Sequence, residues 1–456
     1  MNKKNKLSVA FFIFHFSFFI FHSLSAQDEP RTQEAARLDT IKYGTETEIA
    51  ALIQTLKTEG ADYLDNEIIT LVENIRNPRI LSGAFSFFAE REKSGLESRA
   101  IRAIEERDNE RNETILAAID YLGKVKAANA LPVLRAMIEG GERRLVNPAI
   151  RSLGRIGGDS GADTAQYLID FYENNGPDDE GRREIVAALG SAGSASAVEF
   201  LAEIASNSNE RASLRTAALD SLAKIGDPGG LKAVLDCVSA DDPNIRSAAV
   251  TALGPFTGSA VDEAILDAFR DSYYRTRSAA AQASRQRKLA AAVPYLKFRA
   301  ERDEVPAVKE DAIRALGAIA DGEAVKVLEA LFTERKNSDR VRIAAGEMLM
   351  QVQSDQYLDK FVMELDEAKQ KNQTALYNGL LKVIGGTKGS NMEAITRRLM
   401  QNSGVIERSY ALDMAANNNL TGLTEEIGVV AKDRNESLAA KARRTLEKMG
   451  VQQRNQ

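Results

Sequence analysis

The chain has 456 residues, of which 28% are charged and 6% aromatic, with a net charge of −6 and no tryptophan. Because this length exceeds what one compact core needs, we expect several domains or a repeat array. Frequent Ala and Leu, with glycines at intervals instead of in tracts, exclude a disordered chain and indicate a helical protein.

The N-terminus has the pattern of an export signal. Lys3, Lys4 and Lys6 precede the apolar stretch LSVAFFIFHFSFFIFHSL, which ends in small residues. This pattern predicts a signal peptide over residues 1–26, cleaved after Ala26. Because the apolar stretch is long for a cleaved signal, an uncleaved N-terminal anchor is the alternative. We therefore predict a periplasmic or secreted protein with no integral membrane span after cleavage.

Cleavage changes the chemistry available to the chain. Three lysines leave with no acidic residue, so the net charge moves from −6 to −9, and both histidines, His15 and His22, leave too. A mature chain without histidine excludes Ser-His-Asp and Cys-His catalysis and the usual zinc sites. Carboxylates such as Asp241 and Asp242 lie in turns, where they are expected to cap helices. We therefore expect a non-enzyme with no cofactor and no metal.

The sole cysteine, Cys237, lies among apolar helix positions. One cysteine cannot form an internal disulfide, and a reactive thiol needs a cationic, exposed neighbourhood. The nearby acids Asp236 and Asp241 argue against such a neighbourhood. Cys237 is therefore expected to be a small buried residue.

The part of the chain before the clear repeats is looser in pattern. Residues 27–44 are expected to form a flexible leader, and residues 45–110 two degenerate helix pairs. The main array is expected over residues 111–450, followed by a polar tail at 451–456.

From residue 111 onward one phrase recurs every 31 to 36 residues, anchored on an apolar position. We number the repeats 1 to 11 by this anchor. The anchors are Leu122, Leu153, Leu189, Leu222, Leu253, Ser284, Leu316, Leu349, Leu381, Ala415 and Leu446.

Two further positions recur on the same helix face as the anchor. Four residues before it, alanine recurs and allows a neighbouring helix to approach closely. Seven residues before it a cation recurs, whose stem is expected to lie on the packed face while its charge stays in water. These cations are Arg182, Arg215, Arg246, Arg277, Lys309, Arg342 and Arg408.

A second apolar-periodic stretch begins about twelve residues after each anchor, beyond a turn rich in Gly or polar residues. Each repeat is therefore a helix, a tight turn and a second helix. One such pair cannot bury its own apolar faces, whereas stacked pairs share a continuous core. The predicted fold is all-α, a solenoid of about 11–13 helix pairs.

The phrase Asp242-Pro243-x-x-Arg246-x-x-Ala249-x-x-x-Leu253-Gly254 resembles the short HEAT-like repeat that also occurs in phycobilisome lyases. The resemblance is strong over residues 110–450 and weak over 45–110. It implies a right-handed superhelix, on the order of 100 Å long, whose second helices line a concave surface.

The resemblance also implies enzymatic alternatives. Iron-dependent hydroxylases of this broad family use His-Glu pairs, which a chain without histidine lacks. DNA glycosylases built from helical repeats are a poor match for an exported acidic chain, so we expect no nucleic-acid partner. A lyase-type enzyme stays as the less favoured alternative, because repeats of this kind also serve in many non-enzymes.

The sixth repeat departs from the phrase. Ser284 replaces the anchor leucine, and Arg287 stands where an apolar residue is expected. Residues 275–302 contain eight cations and one acid, a local reversal of the chain's negative charge. The candidate binding residues of this basic segment are Tyr273, Tyr274, Arg275, Arg285, Arg287, Lys288, Tyr295 and Arg299.

Three interpretations of the basic segment are open. It docks an anionic partner: an acidic peptide, a phosphorylated envelope glycan or a lipid head group. Alternatively, a slipped helix register packs Leu289 and Val293 and leaves the cations solvated. In the third interpretation the cations balance acids on adjacent repeats. Charge reversal at Arg285, Arg287 and Lys288 is expected to leave folding intact and weaken partner capture.

The expected function is that of a non-catalytic exported scaffold that holds a protein or other macromolecule in its concave groove. The alternative is a binding module for anionic envelope polymers or lipid head groups, acting through residues 275–302. An inner surface with exposed Tyr and Arg would favour binding, whereas convergent carboxylates in a closed pocket would favour an enzyme.

Overall fold

A computed structural model describes residues 29–158, 161–401 and 404–451. All regular secondary structure in these ranges is helical, which confirms the predicted all-α solenoid. The predicted signal peptide and nearly all of the predicted tail lie outside the described residues.

The chain divides into two compact units, the first ending at Val133 and the second beginning at Leu134. Helix α7, Leu131–Glu139, includes the boundary. The other helices of the first unit are α1 Glu29–Tyr43, α2 Glu46–Glu59, α3 Asp65–Asn74, α4 Pro78–Glu90, α5 Glu97–Glu105 and α6 Asn112–Lys124.

The expectation of a flexible leader at residues 27–44 is corrected in its described part, which forms α1. Ile41 of this helix is buried. Arg37 donates hydrogen bonds of 2.6 and 2.8 Å to Glu59 and one of 2.9 Å to the Tyr63 hydroxyl. The sequence of α1 has little apolar periodicity, so these contacts with later residues could not be predicted from it.

In the second unit, most repeats consist of two helices. Short 3₁₀ turns precede several of the second helices. The α-helices are α8 Arg143–Ile156, α9 Gly161–Asn175, α10 Asp179–Ala192, α11 Val198–Ser206, α12 Ala212–Ile225, α13 Leu231–Cys237, α14 Pro243–Ala252, α15 Ser259–Ala268, α16 Tyr274–Arg287, α17 Val293–Arg302, α18 Pro306–Ile319, α19 Gly322–Thr333, α20 Asp339–Gln370, α21 Thr374–Gly386, α22 Glu393–Met400, α23 Val405–Asn417, α24 Thr424–Val430 and α25 Glu436–Lys448.

Helix α20 runs through both helical segments of repeat 8. Its backbone is kinked at Gln353, where φ is −146° and ψ is 56°. Most other repeats separate their helices with turns that contain Gly or short polar residues. Repeat 8 has the sequence MQVQSDQY at this point, without glycine, and the helix continues across the kink.

First helices pack against first helices of neighbouring repeats, as in the series α8, α10, α12, α14, α16 and α18. Second helices such as α11 and α13, or α17 and α19, lie beside one another in another layer. The core lies between these layers. All eleven anchors are buried, as are all nine alanines that stand four residues before an anchor.

Several cations seven residues before the anchor lie differently from the prediction. Arg277 donates two hydrogen bonds to the Asp303 carboxylate, at 2.7 and 2.9 Å, and two more to the Asp271 and Ser272 carbonyls. Arg246 pairs with Asp271 in the same way one repeat earlier. These two guanidiniums are therefore largely buried. Each donates hydrogen bonds to backbone carbonyls that follow the preceding second helix and to a carboxylate at the start of the next repeat.

Candidate functional site

The basic segment is divided among three places in the second compact unit. Tyr273, Tyr274 and Arg275 lie at the N-terminal end of α16, whereas Arg285, Arg287 and Lys288 lie at its C-terminal end. The 14 residues of α16 separate these two groups by about 20 Å. Tyr295 and Arg299 lie on α17. The structure therefore does not bring the eight candidates into one site.

The N-terminal group is an aromatic pair with a cation beside it. The rings of Tyr273 and Tyr274 are 5.4 Å apart, edge to face. The Arg275 guanidinium lies 6.0 and 5.8 Å from their centroids, within cation–π range. The Tyr273 hydroxyl donates to Asn244 at 3.2 Å. These internal contacts account for much of the polar capacity of this group.

At the C-terminal end of α16, Arg287 is half-buried and forms an ion pair with Asp262 of the preceding repeat. This pair corrects the expectation that charge reversal at Arg287 leaves folding intact, since a glutamate there would face Asp262. Arg285 and Lys288 are exposed, and neither forms an ion pair with the described residues. They are the cations of this end that remain open to a partner.

The helix register of α16 is not slipped. Ala280 and Ser284 are fully buried at the positions that the repeat assigns to them. Val293 is also buried, whereas Leu289 is only half-buried. Repeat 6 therefore keeps the packing of its neighbours and replaces a leucine with a smaller polar residue.

The structure brings Tyr295 and Arg299 together with residues that follow α15. They line an open hollow of about 410 Å³ on the surface of the second helices. Its lining is formed by Phe269, Arg270, Pro294, Tyr295, Phe298 and Arg299. None of these six side chains is a carboxylate, thiol or imidazole.

Aromatic contacts build the walls of this hollow. The rings of Phe269 and Tyr295 stack with centroids 5.7 Å apart, and Phe269 is buried beneath the surface. Arg270 lies 5.3 Å from the Tyr295 ring and donates to its hydroxyl at 3.3 Å. Phe298 is 55% exposed, and exposure of so large an apolar side chain to water is unfavourable.

The two arginines of the hollow form only weak ion pairs within the chain. Arg299 approaches Asp303 at 3.4 Å, but that carboxylate already accepts two shorter hydrogen bonds from Arg277. Burial lowers the pKa of Arg299, with a further lowering from Arg277. Arg270 pairs with Asp267 at 2.7 Å in a largely exposed contact, which is worth little in water. The hollow therefore combines apolar walls with guanidinium groups that can donate hydrogen bonds to another carboxylate.

The exposed position of Phe298 recurs in other repeats, fourteen residues after the anchor. In repeats 3, 4 and 5 it holds the exposed acids Glu203, Asp236 and Asp267. In repeats 6, 8 and 10 it holds Phe298, Met363 and Val429, which are 55%, 70% and 74% exposed. At this one position, therefore, repeats 3 to 5 carry exposed acids, whereas repeats 6, 8 and 10 carry exposed apolar side chains.

Sequence analysis missed Phe269, Arg270, Pro294 and Phe298. The prediction followed charge within one repeat, whereas the hollow is shared by two. The signal in the sequence is Phe298 itself, an aromatic residue at the position where repeats 3, 4 and 5 carry acids.

Two other predicted features are placed by the structure. Cys237 is buried, its thiol donates to the Ala205 carbonyl at 3.4 Å, and burial raises the thiol pKa. Asp242 caps α14 by accepting from the Asn244 backbone N–H at 2.8 Å. Asp178 caps α10 in the same manner.

Among residues 29–158, 161–401 and 404–451, no group of three or more His, Cys, Asp or Glu side chains is arranged to hold a metal ion. No helix in that part of the chain is both long enough and apolar enough to cross a bilayer.

Solved structures with similar folds include the karyopherin Kap121p bound to Ste12p, at 13% identity and a TM-score of 0.45, covering 91% of this chain and 52% of that one. The complex of CpcE and CpcF of phycocyanin lyase from Nostoc is 20% identical with a TM-score of 0.34, covering 51% of this chain and 92% of that one. The chain spans about half the length of the karyopherin chains it matches.

A search of curated proteins finds no match. A family profile described as Spirochaete HEAT repeat protein matches residues 41–445, which include every anchor except Leu446. This match confirms the resemblance to HEAT repeats, and the chain belongs to the Spirochaete HEAT repeat protein family.

Proposed function

We propose that this protein is a non-catalytic, exported scaffold that binds a protein partner on the surface of its second helices. The observation that supports the proposal most is the hollow between α15 and α17, where Phe298 exposes an aromatic ring beside two arginines. Exposed aromatic and arginine side chains are the residues most often dominant in protein interfaces.

The lining of the hollow favours binding over catalysis. Acid–base or nucleophilic chemistry needs a carboxylate pair, a thiol or a comparable group facing the ligand. The hollow offers rings, a proline and guanidiniums instead. Such a surface can orient and hold a partner without reacting with it.

The experiment is affinity capture from an envelope extract, comparing the wild-type chain with Phe298→Asp and with the double variant Arg285→Glu/Lys288→Glu. We expect Phe298→Asp to lose the partner, because a charge replaces the exposed ring of the hollow. The double variant is expected to retain it, since neither Arg285 nor Lys288 lines the hollow. Circular dichroism should show unchanged helix content in all three proteins. A partner captured equally by all three would contradict the placement of the site.

The alternative function is binding of anionic envelope polymers or lipid head groups through the basic segment. It is favoured by Arg285 and Lys288, which are exposed and form no ion pair with the described residues. In that case the same experiment gives the opposite pattern. The double variant would then lose an anionic polymer that Phe298→Asp still retains.

A further inference from the structure

The side chains that line the hollow indicate which kind of polypeptide segment binds there. We infer that it holds a bulky apolar side chain of an acidic polypeptide segment, with a neighbouring carboxylate of that segment bound by Arg270 and Arg299. This inference rests on the proposed function and names the partner's chemistry.

The shape supports an apolar side chain. About 410 Å³ falls in the range of small-ligand pockets and is ample for one aromatic side chain with part of its backbone. Phe269 forms the buried floor, while Tyr295, Phe298 and Pro294 surround it. An entering ring would cover the exposed face of Phe298 and replace ring–water contacts by ring–ring contacts.

The charges support a carboxylate beside that side chain. Arg299 shares Asp303 with Arg277, so two cations meet one carboxylate there. Arg270 holds Asp267 only in an exposed pair that a partner carboxylate can replace. A guanidinium binds a carboxylate through two parallel hydrogen bonds, which is the geometry these groups offer.

An acidic peptide suits this site better than a polyphosphate. A polyphosphate would contact the arginines but leave the ring of Phe298 in water. The peptide satisfies both the apolar walls and the cations. Nearby Lys297 and Arg302 are exposed on the same helix and extend the positive charge along the path of an acidic segment.

The absence of tryptophan from the chain makes a direct test possible. The probe is a synthetic peptide, acetyl-Glu-Glu-Trp-Glu-Glu-amide, titrated with the full chain. Its indole is then the only one in the sample. We expect a blue shift of the indole emission and protection from acrylamide quenching when the ring enters the hollow. The matched peptide with Lys in place of Glu should show neither change.

Two double variants locate the binding. Arg270→Gln/Arg299→Gln should lower the affinity for the acidic peptide at least about tenfold, or by about 1.4 kcal/mol. Arg285→Gln/Lys288→Gln removes the same charge from two exposed positions that do not line the hollow and should leave the affinity unchanged. Phe298→Asp should abolish the blue shift. The thermal unfolding of each variant, followed by circular dichroism, establishes that it is folded.

Three results would overturn the inference. One is no blue shift with the acidic peptide at millimolar concentration. Another is equal binding of the peptide by wild type and Phe298→Asp. The third is binding of phosphatidylglycerol vesicles or polyphosphate, but not the peptide, with loss in Arg270→Gln/Arg299→Gln. If the peptide fails while Phe298→Asp still loses the captured partner, the proposed function stands and only the chemistry assigned here is wrong.

Discussion

Two buried serines show how one hydroxyl can have opposite effects in the same fold. Ser221 and Ser284 are both fully buried in first helices. The Ser221 hydroxyl donates to the Val186 carbonyl of the preceding repeat at 2.8 Å. The Ser284 hydroxyl has no partner among the described residues. A buried hydroxyl without a hydrogen bond is costly, whereas a satisfied one is slightly stabilising.

Alanine at each position should therefore give different results. Ser221→Ala should lower the free energy of unfolding by about 1 kcal/mol, because a hydrogen bond between repeats is lost. Ser284→Ala should leave it unchanged or raise it by about 1 kcal/mol, because an unsatisfied group is removed. Urea unfolding followed by circular dichroism measures both. Equal destabilisation by the two substitutions would show that the Ser284 hydroxyl is satisfied in solution.

Between helices, the glycine that follows several anchors sets the distance between first helices. A Cβ on Gly190 of α10 would lie 2.6 Å from the Ser221 side chain and 2.7 Å from its Cα in α12. One repeat earlier, a Cβ on Gly154 would lie 2.6 Å from the Ala188 carbonyl oxygen. The leucine–glycine pair of the phrase is thus explained by close contact between successive repeats.

Gly190→Ala should lower the free energy of unfolding by about 1–3 kcal/mol, because backbone atoms must move to admit the methyl group. Gly428→Ala is the matched control, since Gly428 lies inside α24 and a Cβ there meets nothing within 4 Å. It should be neutral or stabilising by up to about 1 kcal/mol through helix propensity. Thermal unfolding distinguishes the two. An unchanged midpoint in Gly190→Ala would mean that α10 and α12 separate without cost.

For the whole molecule, pairs of arginine and carboxylate between repeats link stability to pH. Burial by itself raises the pKa of Asp303, but hydrogen bonds from Arg277 and from the Val305 backbone N–H outweigh it and hold the pKa below its ordinary value. Asp271 is held in the same way by Arg246. A carboxyl with a lowered pKa stabilises the fold above its unfolded pKa, and this stabilisation is lost as the pH falls through the folded value.

The free energy of unfolding should therefore be constant near neutrality and fall as the pH drops below about 4, the ordinary pKa of Asp. Asp303→Asn should be less stable at neutral pH and should show a smaller fall on acidification. Asp236→Asn, at an exposed pair with Lys232, should keep the wild-type profile. Urea unfolding at a series of pH values measures this. A wild-type slope in Asp303→Asn would assign the acid sensitivity to other carboxyls.

The repeat period, the buried anchors and the all-α solenoid could be predicted because each depends on local spacing. A leucine every 31 to 36 residues, with alanine four before it, requires one packed helix face whatever the neighbours are. The departure at Ser284 was also visible in the sequence, but the structure shows that repeat 6 packs like its neighbours. The kink at Gln353 and helix α1 were not predicted, because neither has an apolar period of its own.

The sequence by itself determined the repeat, its helices and the residues that face the core, since these follow from periodicity within one segment. The tertiary structure alone decided which of the cationic side chains of repeat 6 form ion pairs. It placed Arg277 and Arg287 in ion pairs with Asp303 and Asp262, and left Arg285 exposed. It also joined residues of α15 and α17 into one hollow. A charge interacts most strongly with groups within a few ångströms of it, and for Arg277 and Arg287 that group belongs to another repeat.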